Sequence, residues 1–379
     1  MNLTFGDDME FTMTTLPYEE LKALVVLSRL GGGSRRLPAL LQEGMKPAEI
    51  LTRIESENFL GKAGNLEKIE RGFDPELEMD LCEKKGIRLL TLFDAEYPFL
   101  LKQTPDPPAL LYMAGYFEES DEAAVAVVGS RYPSLYGKTQ TKQFAGELAR
   151  FGLTIVSGFA KGIDQEAHEA ALEVRYGRTV AVLGCGADVV YPPASRGLYE
   201  RIAERGAVIT EYALGTEPLA ENFPRRNRII AGLALGVLVV EAHARSGSLI
   251  TAHEAVDYGR EVFAVPGPVD QLTSQGTHRL LKEGAFLAET PLDVFEVLAP
   301  SLWPFAGRSP GSGEKGSSAS LDMNEGEQSL IRVLGKGPLA FDALAGQCPL
   351  GPGELASFLT ALELKKKIRR APDGRFALI

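Results

Sequence analysis

Six short apolar runs decide the fold: AVAVVG at 124–129, LTIVSG at 153–158, TVAVLG at 179–184, AVITEY at 207–212, GVLVVEA at 236–242 and EVFAVPG at 261–267. Helix-like sequence follows each of them. A strand covered on both faces reads as an unbroken apolar run, and such strands alternating with helices build a parallel sheet clad on both sides. The expected core is therefore α/β, a Rossmann-like doubly wound, mostly parallel sheet. Five of the six runs end in glycine or meet one within a few residues. Flexible turns thus gather at the carboxyl edge, where open sheets of this class bind ligands.

Upstream of the core, strands expected at Ile87–Leu92 and Ala109–Met113 lead into the sheet. Before them Leu21, Leu24, Val25 and Leu27 fall at helical spacing, followed by a Gly31-Gly32-Gly33 break and a helix through Leu40 and Leu41. The break, with Ser34, Arg35 and Arg36 after it, reads as a plain interhelical loop rather than a hairpin turn touching DNA. Downstream, PFAGRSPGSGEKGSSAS at 304–320 is Gly-, Ser- and Pro-rich and marks a flexible linker. Three helix-like stretches and two apolar-basic runs turning at Pro372-Asp373-Gly374 then outline a winged helix. The expected domains are a helical one at 1–85, the core at 86–300, the linker at 301–323 and the winged helix at 324–379.

At 379 residues and 45% hydrophobic, the chain has the composition of a soluble globular protein. No apolar run approaches the ~20 residues of a membrane span, and an acidic N-terminus argues for a cytoplasmic protein. Cys82, Cys185 and Cys348 form no CxxC pair, and His168, His243, His253 and His278 show no ligand spacing, so neither a disulfide framework nor a metal is expected. A net charge of -11 argues against a polyanionic partner, yet Arg225-Arg226-Asn227-Arg228 and the run Lys365, Lys366, Lys367, Arg369, Arg370 concentrate positive charge. An acidic remainder would confine a polyanion to those places.

The loops carry the chemistry. The first strand ends in Gly129-Ser130-Arg131, where small residues open backbone N–H groups to a phosphate and Arg131 adds a forked cation; the plainer reading is a tight turn with a solvated arginine. The second ends Ser157-Gly158-Phe159-Ala160-Lys161-Gly162, with Lys161 able to reach over the sheet edge and Asp164 placed to cap the next helix. Neither the first loop nor the third, Gly184-Cys185-Gly186, has dinucleotide GxGxxG spacing, so no cofactor is expected. Cys185 reads as a buried thiol and His168 as a packed histidine. Phe223-Pro224-Arg225-Arg226-Asn227-Arg228 crowds cations at a helix start, which an anion would relieve; carboxylates such as Glu211 or Glu241 are the alternative partners. Ser246-Gly247-Ser248, beside Arg245, opens a further helix as another anion site. Several anion sites along one edge suit a nucleic-acid strand, with Phe159, Phe223 and Tyr132 as stacking candidates that fit a core equally well. These residues alone leave the polyanion open.

GSR at 129–131, SGFAKGID at 157–164, FPRRNRIIAGL at 223–233 and RSGSLITA at 245–252 resemble the motifs of the DNA-processing protein A (DprA/Smf) family, in order and at matching intervals. The resemblance extends over residues 97–298 and is weaker in the flanking domains. It implies a non-catalytic, homodimeric single-stranded DNA-binding protein of natural transformation and recombination, which protects incoming strands and helps load the RecA recombinase. It further implies that the N-terminal helices are sterile-alpha-motif-like. The DNA-binding residues expected are Gly129, Ser130, Arg131, Ser157, Gly158, Lys161, Phe223, Arg225, Arg226, Asn227, Arg228, Ser246, Gly247 and Ser248, with the basic run at 365–370 accessory. Two other readings stand beside it. One is a nucleotide phosphoribohydrolase using Thr251 and Glu254, although Ser246 and Ile250 replace the proline and glycine of that loop. The other is a transcriptional regulator acting through the winged helix.

Overall fold

The computed structural model describes residues 15–29, 36–56, 73–302 and 325–335, with parts of the stretch 337–378. The glycine break at 31–33, the linker at 304–320 and the turn at 372–374 lie outside the described residues.

Among the described residues, four helices open the chain, α1 (Tyr18–Ser28), α2 (Arg36–Gln42), α3 (Pro47–Ser56) and α4 (Pro75–Lys84). Asp74 caps α4 by accepting from the N–H groups of Glu76 and Leu77, and Pro75 follows at the first helical position. Leu21, Leu24, Val25 and Leu27 are buried as their spacing predicts, in one apolar core with Leu90 and Tyr112 of the next two strands. Those strands are β1 (Ile87–Thr91) and, after the short α5 (Phe99–Lys102), β2 (Leu110–Gly115).

The six expected strands follow as β3 (Ala124–Val128), β4 (Thr154–Ser157), β5 (Thr179–Val182), β6 (Ala207–Thr210), β7 (Gly236–Val239) and β8 (Glu261–Ala264). Between them lie α6 (Leu135–Arg150), α7 (Ile163–Glu173), α8 (Arg196–Arg205), α9 (Asn222–Leu233) and α10 (Ser248–Asp257). After β8 come α11 (Gln275–Lys282), the two-residue β9 (Phe286–Leu287) and α12 (Pro291–Leu302). The nine strands form one sheet in the order β1-β2-β6-β5-β4-β3-β7-β8-β9. All neighbours from β6 to β9 are parallel, whereas β1 and β2 pair antiparallel with each other and β2 antiparallel with β6. Val125 and Val127 of β3 face a core shared with Phe144, Leu148 and Ala167, while Ala126 and Val128 face one shared with Ile229, Leu249 and Ala252. The alternation places α6 and α7 on one face and α9 and α10 on the other, which is the doubly wound arrangement.

In the tail, α13 (Glu325–Leu334), α14 (Phe341–Ala345) and an antiparallel hairpin of β10 (Ile368–Arg370) and β11 (Phe376–Leu378) surround a separate core of Leu330, Leu344, Leu359, Ile368 and Phe376. No helix among the described residues is long and apolar enough to cross a membrane.

Strand order reverses at β3, which lies between β4 and β7, so the crevice of this sheet opens between the loops after β3 and β7. The buried carboxylate of Glu241 fills it. Ser134 donates to it through N–H at 2.9 Å and hydroxyl at 2.6 Å, and Thr273 through its hydroxyl at 3.3 Å. A carboxylate therefore sits at the positive start of α6, where a dinucleotide's phosphates would otherwise bind. The approach requires Gly137, whose Cβ would stand 2.3 Å from a Glu241 oxygen, whereas a Cβ at Gly146 in the same helix meets nothing nearer than 3.8 Å. Helix propensity alone favours Gly→Ala by about 1 kcal/mol at either site. We expect Gly146→Ala to raise the urea midpoint and Gly137→Ala to lower it by the equivalent of about 1–3 kcal/mol of overpacking. Equal effects of the two substitutions would show that the carboxylate does not constrain α6.

Candidate nucleic-acid interface

The loops at the carboxyl edge are interlocked. Ile163 N donates to Ser130 O at 3.1 Å, and at Gly162, with φ of 87°, a Cβ would lie 2.4 Å from that carbonyl oxygen and 2.7 Å from Pro133. Only glycine allows this approach. Small residues expected to face a ligand are spent on the turn itself. Ser130 Oγ accepts from Tyr132 N at 3.1 Å, and Ser157 Oγ donates to Val127 O at 2.6 Å. A Cβ at Gly129 would come within 2.7 Å of Ile163, and one at Gly158 within 2.7 Å of Asp164.

The start of α7 differs from the expected one. Gly162 occupies the cap position, because its positive φ turns the chain into the helix two residues before Asp164. Asp164 lies in the first turn, buried, and accepts from Ala160 N at 3.3 Å. Burial pushes its pKa up to about 6, against the attraction of Arg226. His168 is a packed histidine, as read from its spacing. Thr179 gives its hydroxyl proton to Ile155 O, so His168 Nδ1, 2.6 Å from that hydroxyl, carries the hydrogen, and burial lowers the ring's pKa to about 3. Burial likewise raises the Cys185 thiol to about 11, too high for a nucleophile at neutral pH.

The arginine cluster divides, because residues of one helix turn by about 100° each. Arg226 is buried and donates to Gly158 O at 2.7 Å and to Val182 O, carbonyls at the ends of β4 and β5. Arg228 is buried against Glu211 and lies 3.4 Å from Asp106, the carboxylate pairing that was the alternative to an anion. Asn227 donates to Gly247 O at 3.2 Å and ties α9 to the turn before α10. The Ser246 and Ser248 hydroxyls lie 2.8 Å apart and Ser248 is buried. Arg225 alone of the three arginines is exposed.

What faces solvent is a set of exposed cations on these loops, together with one half-buried aromatic side chain that Arg131 overlies. Phe223, half-buried, rests on the backbone of Gly184, where a Cβ would stand 3.1 Å from the ring. The Arg131 guanidinium carbon lies 5.2 Å from its centroid and the Tyr191 ring 6.1 Å away. Arg131, Lys161, Arg225 and Arg245 are all exposed, and none forms an ion pair among the described residues. Of the other aromatic candidates, Tyr132 is exposed, whereas Phe159 is buried between His168 and Tyr199 and belongs to the core. Lys365 and Lys366 lie outside the described residues; Lys367 is exposed, and Arg369 and Arg370 lie on β10. The Thr251 and Glu254 pair is poorly placed for hydrolysis, since Thr251 is buried and Glu254 is engaged with Tyr258 a turn later. Sequence reasoning misses two roles: Glu241, named as an arginine partner, instead fills the crevice, and Tyr191 packs beside Phe223 with no signal but an aromatic beside a proline.

Residues 88–299, more than half of the chain, match the family model described as DNA recombination-mediator protein A. The chain belongs to the DprA/Smf family. A second match, to the DprA winged helix domain, covers residues 315–374. The Smf protein of Escherichia coli is 40% identical over 79% of this chain and 80% of its own length. That of Synechocystis is 41% identical over 60% of this chain and 56% of its own length, so the chain spans little more than half of that relative. Among solved structures, DprA from Streptococcus pneumoniae superposes with a TM-score of 0.62 at 37% identity, covering 75% of this chain and 98% of that one. DprA from Helicobacter pylori, described for its single-stranded DNA binding mode, gives 0.51 at 31% identity over 57% of this chain and 96% of its own. The DprA/Smf core thus accounts for the sheet and for the loops at its carboxyl edge.

Asp164 provides a test of the buried layer under those loops. Its folded pKa stands above the unfolded value, so its contribution to stability is full below about pH 4 and is lost as pH rises through about 6. Between about pH 4 and about pH 7 the wild type should lose roughly 2–3 kcal/mol relative to Asp164→Asn in urea unfolding. Parallel pH profiles would mean that the carboxyl is not held in a desolvated place.

Proposed function

We propose that this protein binds single-stranded DNA along the carboxyl edge of its sheet, as a non-catalytic recombination mediator. The observation that carries the reading is Arg131 over the half-buried ring of Phe223, with Lys161 exposed on the loop after β4 and Arg225 at the start of α9, none of the three in an ion pair among the described residues, on a chain of net charge -11. A backbone that repeats its phosphate needs several cations at intervals, and a base needs a flat apolar face beside them. The family match and the single-strand binding of the Helicobacter pylori relative favour DNA over other polyanions.

Arg131 lies over the ring of Phe223. A phosphate draws the guanidinium away and leaves that face of the ring to a base, so one movement serves grip and stacking together. Arg226, Arg228, Asn227, Ser130 and Ser157 act from below by holding the loops. The glycines at 129, 158 and 247 and the hydroxyls of Ser246 and Ser248 shape the turns along which the strand passes. In the same reading the protein works in the cytoplasm as a homodimer, protects incoming strands and helps load the RecA recombinase. The helical segment at 1–85, the core at 86–300, the linker at 301–323 and the winged helix at 324–379 are its functional parts, with Lys365, Lys366, Lys367, Arg369 and Arg370 an accessory surface.

Arg131→Ala and Lys161→Ala should each weaken binding of oligo-dT and flatten the slope of log affinity against log salt by about 0.7, the value for one single-strand phosphate contact. Arg228→Ala should instead lower thermal stability, by breaking a buried pair worth about 3–5 kcal/mol to interrupt. Salt-series anisotropy and thermal melts read both. A preference for duplex over oligo-dT, or salt slopes untouched by both substitutions, would overturn the assignment.

A further inference from the structure

Large exposed apolar side chains gather on two loops at the same edge. Tyr132 is 83% exposed and Leu135 81%, directly after Arg131; Val269 is 90% and Leu272 62% exposed in the loop after β8. Two polar ties hold these loops against each other. Tyr136 donates its hydroxyl to Pro266 O at 2.7 Å, and Ser134 and Thr273 both donate to one oxygen of Glu241, at 2.6 and 3.3 Å. Leu135 follows Ser134 and Leu272 precedes Thr273, so a single buried carboxylate ties together the segments that carry the two leucines. The surface is fixed from beneath, and an exposed apolar surface fixed in this way marks a contact site.

We infer that this surface takes nucleobases of the same DNA strand where it runs on past Arg131. The inference rests on the single-strand reading above. Arg131 and Tyr132 are consecutive, so a phosphate held by the first delivers the neighbouring base to the second. Lys161 stands on the loop docked to Ser130, and Lys138, 48% exposed, lies one turn into α6 with only a 3.9 Å contact to Glu166. Cations bordering apolar side chains match a single strand, whose bases present apolar faces between charged phosphates. A duplex keeps its base faces stacked inside and offers the surface only its phosphates.

The test uses the full chain and the double variant Tyr132→Ser/Leu272→Ser, measured by anisotropy against long oligo-dT and an abasic oligomer of equal length. The wild type should bind oligo-dT more tightly than the abasic strand. The variant should lose about tenfold on oligo-dT, within the range for loss of base stacking. It should lose little on the abasic strand and keep the wild-type salt slope, which no phosphate-gripping residue would do. Tyr132→Phe should bind as the wild type. Unchanged affinity of the double variant for oligo-dT, or a lower sedimentation coefficient that accounts for the loss, would overturn the inference. Failure of the wild type to bind oligo-dT would instead overturn the single-strand reading on which it rests.

Discussion

The arrangement of the carboxyl edge depends on one buried carboxylate. Glu241 stands where the strand order reverses and accepts hydrogen bonds from Ser134 on one side and Thr273 on the other. It balances the positive start of α6, demands glycine at position 137, and joins the loops after β3, β7 and β8. A sheet of this kind usually offers that crevice to a nucleotide. With an anion of its own already there, the protein has no room in the crevice for a second, and any phosphate must be met further out, by side chains long enough to stand above the loops. Arg131 and Lys161 have that length.

The arginines of α9 show the complementary principle. Arg226 is a buried cation held by carbonyl oxygens at the ends of two strands, and Arg228 one held by carboxylates. Both lie beneath the surface on which Phe223 and Arg131 meet. Desolvated charges of this kind contribute little net stability when paired, but removing one partner is costly, so they fix geometry. The inner arginines hold the loops in place; Arg131 and Lys161 stand exposed above them.

The six core strands were legible because a strand apolar on both faces leaves a pattern that few other structures leave. The positions of α6 and of the helical segment around Leu21 to Leu27 were legible for a similar reason, as periodicity reports burial. The antiparallel pairing of β1 and β2 was not, since a strand's sequence records which faces are covered and not which neighbour it bonds. Arg225, Arg226 and Arg228 looked alike because composition carries no direction, and their fates depend on Glu211, Asp106 and two carbonyls far away in sequence. The cap at Asp164 was misplaced by a local cause: the close passage of Gly162 over Ser130, a tertiary contact, decides where α7 begins. Glu241 could not be singled out, for an acid at the end of an apolar run is indistinguishable from a solvated one until its donors are seen.

The N-terminal helices share their apolar core with β1 and β2, whereas the described part of the tail has a core of its own. Lys85, just after α4, also pairs at 2.9 Å with Asp188, whose other oxygen accepts from Gly215, so that helical segment braces loops on the working edge. The two ends of the chain therefore have different freedom to change. A substitution in the described tail is felt within its own core, while one in the helical segment is felt in the sheet that it covers.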